Sequence, residues 1–194
     1  MTIEEKVKEV KKIYRIIDAD VHRFKKVTGL KCLRYCSHCC ENPHITATVL
    51  EFLPLAYQLY KENRCEEYLE KLKEAEGEDR QNCLLLTFPG NWKNAGRCLE
   101  YKYRPLVCRL FGFAVALDKN GLRQLVTCAG IKQKYNENYE KSVHSLETMP
   151  DVPVMKNYYM MLYGIDTVLA QKYYPICTAL RMAIETVLSA FAYR

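Results

Sequence analysis

Four cysteines stand within nine residues near the start of the chain, at Cys32, Cys36, Cys39 and Cys40. On a helix, residues three or four positions apart share a face, and in a loop the same spacing still lets several sulfurs converge on one centre. A free thiol has a pKa of about 8.5, so a thiolate at neutral pH needs a metal or a positive environment. Single cysteines are often buried as small apolar residues. Four in so short a segment indicate metal ligands instead.

A second cysteine pair lies further along the chain, at Cys98 and Cys108. Pro105 favours a helical turn that begins just before Cys108, where unpaired backbone N–H groups favour a negative sulfur. Arg104 and Arg109 lie on either side of Cys108 in the sequence. We therefore expect their guanidinium groups to form charge-assisted hydrogen bonds to the sulfurs rather than surface salt bridges.

Together the cysteines form the pattern C-x3-C-x2-C-C, then C-x2-Y-x2-R-P-x2-C-R-x-F, with single cysteines between and after the two parts. The pattern resembles the cysteine-cluster family of zinc- or iron-chelating domains over roughly residues 31 to 130. Two features depart from the family: Glu100 replaces an apolar residue, and the loop before Cys98 is longer. Neither is at a ligand position.

The resemblance implies a set of site residues. Arg104, Arg109 and Tyr101 carry over as candidate residues next to the cofactor. Cys65 and Cys177 fall outside the pattern and are predicted to be packing residues. The candidate metal ligands are Cys32, Cys36, Cys39, Cys40, Cys83, Cys98, Cys108 and Cys128.

The ligand spacing bears on which metal is bound. Structural zinc sites typically use two Cys-x2-Cys pairs, whereas this segment has one, Cys36 and Cys39. The adjacent Cys39 and Cys40 suit a multinuclear centre or two neighbouring centres. Eight thiolates suffice for one four-iron cluster with four to spare, or for two sites of four. We therefore favour an iron–sulfur cluster of the 4Fe–4S type, with zinc as the alternative.

Cys32, Cys36 and Cys39 also match the cluster motif of radical S-adenosylmethionine enzymes. Those enzymes need a barrel of alternating strands and helices, typically of ~200 residues or more, and this sequence shows almost no strands. The cysteine cluster also resembles that of the flagellin lysine N-methylase group, which is an analogy because this chain is short for such an enzyme.

The segment before the cysteines is a predicted amphipathic helix. Its apolar residues alternate four and three positions apart, and Gly29 is a suitable end. This apolar face either packs on its own domain or forms a dimer contact with a second copy. The apolar residues are Ile3, Val7, Val10, Tyr14, Ile17, Val21 and Phe24.

The remaining sequence predicts further helices and one hairpin. A helix is expected from near Pro54 to about Glu74, and others after Pro153 and Pro175. Asn120-Gly121 predicts the turn of a β-hairpin over residues 110–128, and residues 89–91 are predicted to lie in a loop. The predicted fold is mainly α, a helical domain with one small hairpin organised around a multi-cysteine metal site. It forms a single domain, 1–194, with an N-terminal amphipathic helix (1–30), a cysteine-cluster metal-binding core (31–130) and C-terminal helices (131–194).

The composition limits the classes of protein. The 194 residues are 49% apolar and 27% charged, with a net charge of +6, as expected of a folded globular protein. No apolar run of about 18 residues is present to span a bilayer. The first twelve residues lack the apolar core and cleavage site of a secretory signal. We therefore expect a cytoplasmic protein, in which ligation rather than disulfide formation is the usual reason for as many as ten cysteines.

Three functions remain open. The first is an iron–sulfur protein with a redox or transferase activity, or with a role in the maturation of another protein. The second is a zinc-stabilised interaction module without chemistry of its own. The third, nucleic-acid binding through Lys25, Lys26, Lys31 and Arg34, ranks last because basic and aromatic residues are not interleaved. No membrane partner is expected, and no catalytic residue is assigned.

Histidines and tyrosines give weaker signals. His38 lies within the cysteine cluster and is a ligand, a proton shuttle or a solvent-facing residue. Tyr159 and Tyr173 belong to a C-terminal group of tyrosines that either lines a substrate pocket beside the cluster or packs helices together.

Overall fold

A computed structural model describes residues 1–33, 36–77, 83–88 and 96–192. Within these ranges the chain is mainly helical with small two-stranded antiparallel sheets, which confirms the predicted fold class. The predicted loop at 89–91 and Arg34 lie outside the described residues. The helices are α1 (Ile3–Thr28), α2 (Val49–Lys61), α3 (Cys65–Gly77), α4 (Leu106–Leu110), α5 (Ala129–Lys134), α6 (Asn136–Ser145), α7 (Met155–Tyr163), α8 (Thr167–Ala170) and α9 (Ile176–Phe191), with a 3-10 turn at Tyr101–Tyr103. The strands are β1 (Thr46–Thr48), β2 (Leu86–Thr87), β3 (Arg97–Cys98), β4 (Ala114–Leu117), β5 (Arg123–Val126) and β6 (Tyr173–Pro175).

None of the helices in the described ranges is long and apolar enough to cross a membrane.

The predicted N-terminal helix is confirmed as α1. Thr2 and Glu5 form a capping box at its start, and Gly29 ends it in the left-handed conformation with φ 72°. The predicted apolar face is buried and packs against α2, α4, α6 and α7 of the same chain. Packing within the domain therefore occupies this face, and dimerisation through the helix stays a prediction.

The second predicted helix was wrong at its start. Helix α2 begins at Val49 rather than near Pro54, which lies inside it. The reason is a capping box: the backbone N–H and the hydroxyl of Thr48 donate to Glu51 Oε1 at 2.8 and 3.1 Å. Burial of the apolar face of α2 against α9 stabilises the helix despite the proline.

The predicted helix also does not continue to Glu74 in one piece. Asn63 adopts the left-handed conformation with φ 54°, and Arg64 N–H donates to the carbonyl of Leu59 at 2.9 Å. This tight turn ends α2 and starts α3 in a new direction.

The predicted hairpin is confirmed as β4 and β5. Asp118 Oδ1 accepts hydrogen bonds from the backbone N–H groups of Asn120 and Leu122 at 2.8 and 2.9 Å, and Gly121 has φ 81°. The C-terminal helices α7 and α9 follow Pro153 and Pro175 as predicted.

One hydrophobic core contains residues from all three predicted parts of the chain. Strand β1 pairs with β6, and because these strands directly precede α2 and α9, the two helices start next to each other. Helices α2 and α9 pack against each other more extensively than any other pair of helices in the described residues. This pair, with α1, is the support on which the cysteine-bearing segments lie.

The fully buried Glu51 joins three helices. Its Oε2 accepts the backbone N–H of Leu106 at 2.7 Å, and its own carbonyl accepts the hydroxyl of Tyr14. Burial raises the pKa of Glu51 to about 7, against the lowering effect of the hydrogen bonds from Thr48 and Leu106. Burial of the Glu51 carboxylate therefore costs free energy, and the hydrogen bonds of this residue anchor α4 to α1 and α2.

We expect Glu51 to make the free energy of unfolding fall as the pH rises from about 4.5 to about 7. Its folded pKa lies above its unfolded value, so the folded state binds more protons in this window. The loss should be on the order of 3 kcal/mol and should level off above pH 7. Urea unfolding of the wild type and of Glu51→Gln at several pH values measures it as the difference between the two curves.

The exposed Glu66→Gln is the matched control for Glu51→Gln. Parallel pH curves for the wild type and Glu51→Gln would contradict the prediction.

Candidate metal centre

Seven of the eight predicted ligands border a single cavity of about 410 Å³. They come from the loop between α1 and β1, from the segments that form β2 and β3, and from α4. All ten cysteines of the chain are free thiols. The seven are Cys32, Cys36, Cys39, Cys40, Cys83, Cys98 and Cys108.

Backbone contacts hold these segments together. The N–H of Cys83 donates to the carbonyl of Cys40 at 2.8 Å, and Cys98 pairs with Leu86 across β2 and β3. Gly96 packs so closely on the loop that an added Cβ would lie 2.3 Å from the Cβ of Ser37. Glycine at this position therefore permits the close approach of the two segments.

Cys108 lies in the short helix α4, which follows Pro105 as predicted. Its N–H donates to the carbonyl of Pro105 at 3.1 Å. Because Glu51 binds Leu106 at the start of the same helix, the position of Cys108 depends on the buried carboxylate.

One group of neighbouring thiols forms around Cys39. Burial raises the pKa of Cys39 to about 12, and the thiols of Cys32, Cys40, Cys128 and Cys36 add to the effect. Burial, followed by Cys36 and Cys128, likewise raises the pKa of Cys32. Cys32, Cys36 and Cys128 therefore lie near Cys39, and we call these four thiols the outer set; Cys40 is a further neighbour of Cys39.

A second group forms around Cys108. Burial raises its pKa, with contributions from Cys83, Cys40 and Cys98, while the charge of Arg104 opposes the shift. Burial also raises the pKa of Cys83 to about 12 and of Cys98 to about 11, and Cys40 is a neighbour of both. Cys40 lies between the two groups, because it is also a neighbour of Cys32 and Cys36. We assign it, with Cys83, Cys98 and Cys108, to an inner set, so that each set has four thiols.

The thiols surround the cavity rather than meet at a point. In the described part of the chain, no three His, Cys, Asp or Glu side chains are placed to hold one metal ion. Burial raises the pKa of Cys39, Cys83, Cys98 and Cys108 far above 7, so a metal that binds these thiols must displace protons.

Arg104 lies near three thiols of the inner set, and the hydrogen bonds to sulfur that were expected of it stay a prediction. Its charge lowers the pKa of Cys40, Cys98 and Cys108 against the larger effect of burial. The guanidinium lies 3.6 Å from the ring centre of Tyr101, and Nη1 donates to the carbonyl of Cys108 at 3.2 Å. Tyr101 thus supports the arginine from outside, with 62% of its surface exposed.

Arg109 is buried and turns toward α1. Its Nη1 donates to both carboxylate oxygens of Asp18 at 2.7 and 2.8 Å, and Nε donates to the carbonyl of Arg104 at 2.8 Å. Nη2 donates to the carbonyl of Lys102, and the guanidinium lies 4.1 Å from the ring centre of Tyr14. Arg109 therefore fastens the cysteine-bearing turn to α1, and a direct contact with sulfur stays a prediction.

A second cavity of about 370 Å³ adjoins the first and holds the eighth cysteine, Cys128. It shares Cys39 and Cys108 with the cysteine cavity. Tyr159 and Tyr173 line it, with ring centres 5.8 Å apart. These two tyrosines therefore form the wall of a pocket beside the cysteines, one of the two alternatives that the sequence left open.

His38 also lines the second cavity, at its exposed rim. Its Nδ1 lies 3.4 Å from Glu41, and 81% of its side chain is exposed.

The cysteine pattern has a counterpart among known families. A family model described as "Putative zinc- or iron-chelating domain", named CxxCxxCC, matches residues 31–142. The chain belongs to the CxxCxxCC family. Searches of curated proteins and of solved structures returned no match.

The CxxCxxCC match extends the expected region from residue 130 to 142, so it takes in α5 and most of α6. It spans all eight predicted ligands, and the zinc- or iron-chelating description agrees with this donor set. Cys177 lies outside the match, although its thiol is a neighbour of Cys83.

Sequence reasoning missed Asp18, Glu51 and Lys25 as residues that support the CxxCxxCC site. Each lies in a helix, within a run of ordinary amphipathic character. No motif marks Asp18 or Lys25, because their contacts arise only when the helices pack, whereas Glu51 is the last residue of the capping-box pattern Thr48-x-x-Glu51.

We expect Cys36→Ala and Cys108→Ala each to lower the metal content of the CxxCxxCC domain and to reduce the free energy of unfolding by several kcal/mol, because metal binding is coupled to folding. The two residues belong to different sets, so each variant should keep the metal of the other set, and the double variant should lose nearly all. Metal analysis and urea unfolding provide the measurement.

Cys65→Ala and Cys177→Ala serve as controls and should leave the metal content unchanged, because neither residue lines the cavity. Equal metal loss in all four single variants would mean that other cysteines are the ligands.

Arg104 and Arg109 should differ in what they affect. Arg104→Met should weaken metal binding, or lower the reduction potential of a cluster, because it removes a positive charge beside three sulfurs. Arg109→Met should instead reduce the free energy of unfolding by about 2 kcal/mol, mainly by leaving two carbonyls without a donor. Metal titration, voltammetry and urea unfolding of both variants provide the comparison. A large effect of Arg109→Met on the metal at unchanged stability would reverse the two assignments.

Proposed function

We propose that the eight cysteines hold iron–sulfur clusters of the 4Fe–4S type, and that the protein works in redox, group-transfer or protein-maturation chemistry. The observation that carries the proposal is the cavity of about 410 Å³ bordered by seven thiols. We also propose the reducing cytoplasm as its location, since free thiols persist there.

The shape of the site favours a multinuclear group over a single ion. Four thiolates around one zinc ion lie about 2.3 Å from a common point and leave no space between them. Here the thiols border an open volume instead. A cluster fills such a volume and is bound at its corners by cysteines from several directions.

The donor set suits two clusters. The outer and inner sets each supply four thiols, the number that one 4Fe–4S cluster takes. Cys39 and Cys40 are adjacent in the chain and belong to different sets, so the two centres would be neighbours. Such clusters supply one-electron transfer, at a potential set by nearby charge, hydrogen bonds and exposure. Arg104 is the residue placed to raise that potential for the inner set.

The second cavity supports a reactive role. It borders Cys39, Cys108 and Cys128, and its apolar wall with Tyr159 and Tyr173 suits a small substrate or a side chain of a partner protein. Structural zinc sites are usually closed, whereas this arrangement leaves sulfurs next to a space that a ligand can enter.

A zinc-stabilised interaction module is the second candidate. Two sets of four thiols also match the four-cysteine ligand set of structural zinc. In this case the protein would need the metal for folding and would carry no chemistry of its own.

Purification without oxygen separates the two functions. We expect a brown protein with broad visible absorption and nearly equal iron and sulfide, about eight of each per chain for two four-iron clusters. The Cys65→Ala variant, purified in parallel, should give the same iron and sulfide. A colourless protein with about two zinc ions per chain would reject the iron–sulfur proposal and favour the interaction module.

A further inference from the structure

A small polar cavity of about 280 Å³ lies between α1 and the Tyr101–Tyr103 turn. It adjoins the cysteine cavity, with which it shares Lys25, Tyr101, Arg104 and Arg109. His22 and Lys102 line this cavity and are absent from the walls of the cysteine cavity. We call it the cationic pocket.

We propose that the cationic pocket binds the phosphate or carboxylate group of a small anionic molecule. The inference goes beyond the proposed function, because it does not depend on which metal the cysteines hold.

The pocket has more positive charge than its own residues neutralise. Lys25, Lys102, Arg104 and Arg109 line it, and Asp18 is the only carboxylate in its described wall. Asp18 is already bound to Arg109. Among the described residues, no acidic side chain forms an ion pair with the other three cations.

Aromatic rings hold these three cations in place. Lys25 Nζ lies 4.0 Å from the ring centre of Phe113, Lys102 Nζ lies 5.6 Å from that of Tyr103, and Arg104 stacks on Tyr101. A cation–π contact orients a cation without using its N–H donors. Arg104 uses Nε and Nη1 for the carbonyls of Tyr101 and Cys108, so the ammonium donors of Lys25 and Lys102 are the ones that stay available to an anion.

Lys25 lies close enough to Arg104 for the two charges to repel each other. Burial and then the charge of Arg104 lower the pKa of Lys25. A bound anion would relieve this repulsion. When the metal site is loaded, the cysteine thiolates offset part of the charge of Lys25 and Arg104. His22 and Lys102 line the cationic pocket but not the cysteine cavity.

The size and chemistry of the pocket limit the ligand. Its volume is near the lower end for small-molecule sites, so it suits one anionic group rather than a large cofactor. Lysine and arginine bind carboxylate and phosphate oxygens through charge-assisted hydrogen bonds. Because the pocket shares a wall with the cysteine cavity, the rest of such a ligand would extend toward the sulfurs.

Calorimetric titration of the full-length, metal-loaded protein with inorganic phosphate, and separately with acetate, tests the proposal. We expect saturable binding with one site per chain, and the tighter of the two anions identifies the ligand class. Lys25→Gln and Lys102→Gln should each weaken binding about ten-fold, as expected for the loss of one charge-assisted hydrogen bond. Circular dichroism and thermal unfolding verify that both variants are folded.

Lys8→Gln is the matched control. Lys8 is exposed on the same helix, ~25 Å from Lys25 along its axis, and the substitution removes the same charge. Binding should be unchanged in this variant. The proposal is overturned if neither anion binds saturably, if Lys8→Gln weakens binding as much as Lys25→Gln, or if the anions bind only after the metal has been removed, since the cations would then merely balance the metal site.

Discussion

The carboxylate of Glu51 is the interaction on which the position of the cysteine cavity depends. It accepts hydrogen bonds from the start of its own helix and from the start of α4, while its carbonyl binds Tyr14 of α1. A buried carboxyl group stabilises a fold only when its oxygens are fully hydrogen-bonded. The carboxylate therefore fixes the relative positions of three helices and, through α4, the place of Cys108.

Charge is distributed around the cavity in two layers. The inner thiols are half-buried, and the charge of Arg104 lowers the pKa of Cys40, Cys98 and Cys108 against the larger effect of burial. Arg109 is next to Cys108 in sequence but forms the second layer, where it joins α1 to the turn that carries Arg104. Two neighbouring arginines thus have different tasks: one acts on the sulfurs, and the other holds the first in place.

The sequence predicted those elements whose signals are local. Helix α1 followed from its apolar periodicity, and the hairpin followed from Asn120-Gly121. The predicted start of α2 was wrong because it rested on Pro54, whereas the local capping-box pattern of Thr48 and Glu51 marks the true start. The capping Glu51 also accepts a hydrogen bond from the backbone N–H of Leu106, 55 residues further along the chain, and no local pattern predicts this contact.

The candidate site was predictable as a list of residues but not as an arrangement. Successive residues on a helix point about 100° apart, so Arg109 faces Asp18 although it follows Cys108. Likewise, only the packed loop places Cys40 near Cys83, Cys98 and Cys108 as well as near Cys32, Cys36 and Cys39. The cationic pocket lies between α1 and a turn some 80 residues later in the chain. No local sequence pattern predicts that these two segments pack together.

The order of the two cysteine sets along the chain has a consequence for biosynthesis. The inner set begins at Cys40 and ends at Cys108, and it is enclosed by the outer set, which runs from Cys32 to Cys128. During synthesis from the N-terminus, the inner set is complete once Cys108 has left the ribosome, whereas the outer set waits for Cys128. In the proposed assignment, a nascent chain would close its inner centre first, and the outer centre would then be assembled around it.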